Sequence, residues 1–211
     1  MSRWFVALIA ITGLLVFSNT SHAQENGAQA GRFELLINPV GATFWTEGTD
    51  DSGEPDFGQY NVALSGTWNF HPRWAAEGEF ASGIGVEQRL TFPGVGSASL
   101  GDVTPPSSLT YNGNLVFYPW TLDHAAAPYV TGGVGVLTLL ERKGFTDENQ
   151  TYFTANVGGG LKYFFTPRWG LRGDYRFFWV NSETEGPGFF GRADDRYGHR
   201  ISGGVVLNLV K

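Results

Sequence analysis

Between Trp169 and Trp179 the chain alternates without a break. The odd positions are Trp169, Leu171, Gly173, Tyr175, Phe177 and Trp179, and Arg172, Asp174 and Arg176 stand among the even ones. Successive side chains of a β-strand point to opposite faces, so such a segment is a strand with one greasy and one charged side, of the length that crosses a membrane. A soluble sandwich could carry one such strand. Seven further segments repeat the pattern: 33–45, 60–70, 74–86, 109–117, 129–140, 153–164 and 200–210. In the first, Phe33, Leu35, Ile37 and Trp45 are expected on the apolar face, with Glu34, Asn38 and Ala42 opposite. Eight two-faced strands and no helical period predict an all-β chain, an eight-stranded antiparallel up-and-down transmembrane barrel.

The links between strands alternate in length. Asn69-Phe70-His71-Pro72-Arg73-Trp74 and Phe164-Phe165-Thr166-Pro167-Arg168-Trp169 form one internal repeat of tight, Pro-containing turns, and the link from Tyr118 to Tyr129 is a looser third. The remaining links, 46–59, 87–108, 141–151 and 182–198, are long and polar. Short turns at one end and long loops at the other are the asymmetry of outer-membrane barrels, whose turns are periplasmic and whose loops are extracellular. Trp and Tyr gather where an apolar band meets water. One aromatic girdle is expected at the short-turn, periplasmic side, from Trp68, Phe70, Trp74, Phe117, Trp120, Tyr129, Tyr163 and Trp169. A second, at the extracellular side, is expected from Trp45, Tyr60, Tyr111, Phe153, Phe177 and Trp179.

Composition fits this frame. Gly is 30 of 211 residues, aromatics are 15%, charged residues only 16%, and mean hydropathy is −0.14, which excludes a bundle of long apolar helices and a disordered chain. Without cysteine there are no disulfides, thiolate metal sites or thiol chemistry. A net charge of −6 and the lack of any basic run give nucleic acid no docking face.

Residues 1–23 carry Arg3, an apolar run from Trp4 to Phe17, and Ser21-His22-Ala23 as a small-x-small cleavage pattern. That is the form of a signal peptide, too short in its apolar part to span a bilayer. The mature chain is expected to begin at Gln24, with 24–30 a short periplasmic segment and 31–211 the barrel.

The chain resembles the small outer-membrane β-barrel family typified by the transmembrane domain of outer membrane protein A. The resemblance is carried by Pro128-Tyr129-Val130-Thr131-Gly132-Gly133-Val134-Gly135, by Asn156-Val157-Gly158-Gly159-Gly160-Leu161-Lys162-Tyr163, and by Trp169-Gly170-Leu171-Arg172-Gly173-Asp174-Tyr175-Arg176. It implies an outer-membrane location, lipid as a partner, and periplasmic chaperones and the insertion machinery as partners during assembly. Leu209-Val210-Lys211 stands where the family usually ends on an aromatic residue, and the peptidoglycan-binding domain of the larger relatives is expected to be missing.

The inward face should carry Glu34, Glu77, Glu79 and Asp174 against Lys162, Arg172, Arg176 and Arg200, four charges of each sign. Eight strands leave an interior about wide enough for side chains to fill, so a neutral polar plug is expected and not a pore. Glu47, Asp50, Asp51, Glu54 and Asp56 lack calcium-loop spacing and read as a solvated acidic loop. His199, Ser202 and Glu183 are the best catalytic trio, but His199 and Ser202, three apart on a strand, point to opposite faces. No catalytic, metal or cofactor site is expected. The alternatives are an adhesin or ligand-recognition barrel acting through 87–108 and 182–198, a lipid-modifying enzyme, and a soluble lipocalin-like barrel with its apolar face inward.

Overall fold

The computed structural model describes residues 31–47, 56–89, 102–120, 124–140, 149–181 and 196–209. Its strands are β1 (Phe33–Glu47), β2 (Phe57–His71), β3 (Trp74–Gly85), β4 (Gln88–Arg89), β5 (Asp102–Val103), β6 (Ser108–Phe117), β7 (Ala126–Leu139), β8 (Gln150–Phe164), β9 (Trp169–Val180) and β10 (Arg196–Leu209). Eight of them close into a barrel in the order β1-β10-β9-β8-β7-β6-β3-β2, every pair antiparallel and, with β4 and β5 set aside, each pair consecutive in sequence except the closing pair of β1 and β10. Closure pairs every strand on both sides, which matters in a bilayer because no water is there to satisfy an open edge.

β4 and β5 form a two-residue ladder that prolongs the β3–β6 hairpin beyond the barrel. The segment expected as a plain loop at 87–108 therefore contains ordered structure at its base. From there Pro105 and Pro106 turn inward and are buried, and Gln59 Nε2 donates to the Pro106 carbonyl at 2.8 Å. Gly85 makes room for this, since a Cβ there would collide with the Pro105 carbonyl.

The repeated tight turns have a common mechanism. His71 Nδ1 accepts from the Arg73 amide at 3.2 Å, and Thr166 Oγ1 accepts from the Arg168 and Trp169 amides at 3.3 and 2.9 Å. In both, a side-chain acceptor just before Pro holds the amides that the turn leaves unpaired.

β1 departs from simple alternation. From Ile37 to Val40 it advances three residues while its partner β10 advances two, from Val205 to Gly203. Against β2, Asn38 to Ala42 spans four steps and Ala63 to Tyr60 three. β1 thus holds one extra residue relative to both neighbours, a bulge at Pro39, where the missing N–H could not have joined a ladder. Past the bulge every side chain changes face. Trp45, expected on the outer girdle, is buried inside with 3% of its surface exposed. Its ring covers the bare backbone of Gly198 and its Nε1 donates to Gln59 Oε1 at 3.0 Å. Ala42, expected inside, lies opposite the outward Tyr60 and Ile201, and Phe44 takes the outward place near the loop end.

Candidate functional site

The interior of the barrel is built in three tiers. Towards the short turns, Leu36, Ala75, Val116, Tyr118, Ala127, Tyr129, Phe164 and Val206 form one buried apolar cluster. Towards the long loops, Trp45, Phe57, Leu137, Leu139, Tyr152, Phe178 and Val180 form another. Between them lie Glu77, Glu79, Asp174, Arg172, Arg176 and Arg200, while the Glu34–Lys162 pair is set among the turn-side cluster and Arg196 among the loop-side one.

All eight charged residues assigned to the lumen by alternation are there, buried and paired. Arg172 bridges Glu77 and Asp174, the latter at 2.7 Å from Nη2. Arg176 binds Glu77 at 2.5 Å, Asp174 at 2.9 Å and, more distantly, Glu79 at 3.5 Å. Arg200 binds Glu79 at 2.6 Å. Lys162 pairs with Glu34 and donates to the Tyr118 hydroxyl at 2.7 Å. Neutral amides extend the set: Asn114 donates to Glu77 and Asn112 to Glu79, each at 3.2 Å, and Asn69 to Glu34 at 2.7 Å. Charges so removed from water are tolerated because each is both paired and hydrogen-bonded.

Three lumen residues have no place in the sequence reading of the charge set. Tyr129, expected on the periplasmic-side girdle, is 3% exposed and lies inside. Its hydroxyl donates to Asp174 and accepts from Arg172 Nε at 2.6 Å, and the Arg172 guanidinium stands 4.6 Å over its ring. Parity held the clue, since Val130 next to it is outward. Tyr118 sits just past the end of β6, where alternation has no purchase, and its ring lies 5.3 Å under the Lys162 ammonium. Arg196 at the start of β10 is a further buried cation.

The other girdle residues face outward. At the short-turn end, Trp68, Phe70, Trp74, Trp120 and Trp169 are exposed, Phe117 and Tyr163 are half-buried, and Trp74 lies 4.7 Å from Phe117. At the loop end, Tyr60, Tyr111 and Phe153 are exposed, and Phe177 and Trp179 are half-buried. Leu64, Phe80, Val134, Val157, Leu171 and Ile201 fill the band between them. The charged face is therefore the inner one, opposite to the arrangement of a lipocalin-like barrel.

Of the catalytic trio, Ser202 is inside the barrel, while His199 lies on the outer face with its Nδ1 2.8 Å from the Tyr175 hydroxyl. Glu183 lies outside the described residues, as do residues 1–30 with the expected leader, the acidic-loop residues Asp50, Asp51 and Glu54, and the C-terminal Val210 and Lys211. Asp56 is exposed at the foot of β2. Among the described residues no three His, Asp or Glu side chains are grouped to hold a metal ion, and no helix is long and apolar enough to cross a membrane.

A closed eight-stranded barrel with an apolar, aromatic-edged outside and a charged inside is a transmembrane β-barrel. The chain belongs to the outer membrane protein beta-barrel domain family, whose profile it matches over residues 9–208, and its place is the outer membrane. In structure it is similar to neisserial surface protein A (TM-score 0.58, 12% identity, 83% of this chain and 96% of that one). It is also similar to OprG of Pseudomonas aeruginosa (0.55, 15% identity, 88% and 99%). The N-terminal barrel domain of OprF from Pseudomonas aeruginosa is another such structure (0.53, 12% identity, 86% and 100%). At these identities the likeness is one of fold. Among proteins of curated function, none is significantly similar in sequence.

Proposed function

We propose that the protein is a non-enzymatic, non-conducting barrel that acts as a structural or surface-exposed element of the outer membrane, its lumen serving stability and not transport. The observation that carries this reading is the tiered interior: two apolar clusters and, between them, a cross-linked charge layer. An ion crossing the lumen would have to leave its hydration shell and displace charges that are buried and already paired with one another, between two clusters of packed apolar side chains. The outward His199 and inward Ser202 support the non-enzymatic reading, since a base and a nucleophile on opposite faces of one strand cannot meet.

In this reading the chain is exported under residues 1–23, is handed by periplasmic chaperones to the insertion machinery, and settles with its short turns in the periplasm. Any adhesive or ligand-binding role belongs to the long loops. Planar bilayers holding the purified protein are the test. Baseline current with only rare, brief events is expected, whereas large, steady, ion-permeable openings would mean that the lumen is hydrated and that transport is the function.

A further inference from the structure

On the lipid-facing side of β2, β3 and β6 the side chains give way to a shallow groove of about 760 Å³. Cross-strand register makes it. Gly66 lies opposite Gly78, and Gly78 opposite Gly113, so three bare positions fall in one row across three strands. The row on the loop side is Leu64, Phe80 and Tyr111, the last two with rings 5.1 Å apart, and the row on the turn side is Trp68, Ala76 and Leu115. At one end the Phe33 ring closes the groove by lying over Gly66, where a Cβ would stand 2.8 Å from Phe33 Cζ. At Gly78 and Gly113 a Cβ would meet nothing within 4 Å. Nothing in the chain's own packing asks for glycine at either place.

The groove's shape and surroundings select its occupant. From Gly66 to Val134 its floor crosses three strand spacings, about 14 Å, with Val136 and Phe153 lining its loop-side continuation. With strands tilted about 40° from the barrel axis, a groove perpendicular to them descends about 9 Å through the bilayer, within the roughly 15 Å that is half of a hydrocarbon core. It is one side-chain row wide. That suits a single acyl chain and falls far short of the roughly 800 Å² per partner that a stable contact with a second barrel needs. Two of the strands that form its floor, β2 and β3, meet at the turn carrying Arg73, which is exposed close to Trp68, Phe70 and Trp74. Arg73 is five residues from Gly78, about 17 Å along the strand, the separation of a lipid phosphate from the far half of its chain. Among the described residues of this rim the exposed charged side chains are Arg73 and Arg168, with no exposed carboxylate to oppose an anion.

We propose that the groove floored by Gly78 and Gly113 binds one acyl chain of an anionic glycerophospholipid from the leaflet on the short-turn side, with Arg73 holding its phosphate. The site goes beyond the closed lumen proposed above and shares with it only the membrane location.

The test is native mass spectrometry of the full chain taken from phosphatidylglycerol nanodiscs into mild detergent, with folding of each variant verified by heat-modifiable gel mobility. Wild-type protein should retain one phosphatidylglycerol. Gly78→Leu and Gly113→Leu, which fill the floor, should each lower retention about tenfold, the loss of on the order of ten carbon–carbon contacts, since in a lipid or detergent surround only packing contacts change. Gly173→Leu, an equally open outward glycine on β9, should retain the lipid as wild type does. Arg73→Gln leaves the turn's backbone bond to His71 in place and should abolish the preference for phosphatidylglycerol over diacylglycerol. Excess inorganic phosphate should leave the lipid bound, whereas its release would reduce the site to a simple anion contact. Undiminished retention in whichever floor variant folds, equal loss in Gly173→Leu, or an unchanged headgroup preference in Arg73→Gln would overturn the proposal.

Discussion

Arg172 and Leu171 are adjacent on β9 and answer to different solvents. Arg172 is buried with bonds to Glu77, Asp174 and the Tyr129 hydroxyl. Arg172→Ala should cost up to about 3 to 5 kcal/mol, because Glu77 and Asp174 each lose one of two guanidinium partners, keeping only Arg176, where water is scarce. Leu171→Arg should cost about 2 to 4 kcal/mol if it lies near the bilayer midplane, through the insertion of a cation into hydrocarbon. Urea unfolding in lipid vesicles, followed by tryptophan emission, measures both. Tyr129→Phe is a sharper probe of position. Inside the lumen the hydroxyl joins Asp174 to Arg172, and its loss should cost about 1.5 to 3 kcal/mol, the range for hydrogen bonds to charged groups. On the outer girdle the same change would be nearly neutral, so a neutral result would contradict the lumen position.

Among the elements, six of the barrel strands keep a single phase from end to end, and β2 slips by one residue only at its turn, between Trp68 and His71, which is why their inner and outer faces could be read from parity alone. β1 could not. Its bulge at Pro39 adds a residue without leaving any trace in the alternation of Phe33 to Ile37, and everything beyond it, Trp45 included, reverses. The charge layer was legible because a charge at an inward position of a membrane strand has few other places to go. The apolar tiers were not, because Leu36, Val116, Phe164 and Phe178 look like lapses in a polar face until closure brings them together from different strands. His71 and Thr166 were visible as a repeat, yet their shared turn-holding bonds needed coordinates. The bulge itself is open to a direct test on neighbouring residues. Trp45→Ala should cost about 3 to 5 kcal/mol as a core truncation, while Phe44→Ala, outward and facing lipid, should cost clearly less. The reverse order, by the same unfolding measurement, would place the bulge elsewhere.

On the scale of the whole molecule, an even number of strands returns the chain to the side from which it started. Among the described residues, the start of β1 and the end of β10 lie on the side of the turns at Pro72 and Pro167. Outer-membrane barrels keep their short turns in the periplasm and their longer loops outside, and the proposed orientation follows that asymmetry. A protease added to intact cells should therefore cut within 87–108 or 182–198, where a free backbone can enter its active site, and should spare the turns at Pro72 and Pro167. The cut chain should not fall apart. A nick between β3 and β6 leaves ten residue pairs of ladder in place from Trp74 opposite Phe117 to Gly83 opposite Ser108. A nick before β10 leaves that strand held on both sides, by β9 and β1. Fragments should accordingly migrate together in unheated detergent gels and separate only after boiling. Cleavage at the two Pro-containing turns in intact cells, with the long links protected until the outer membrane is permeabilised, would invert the orientation.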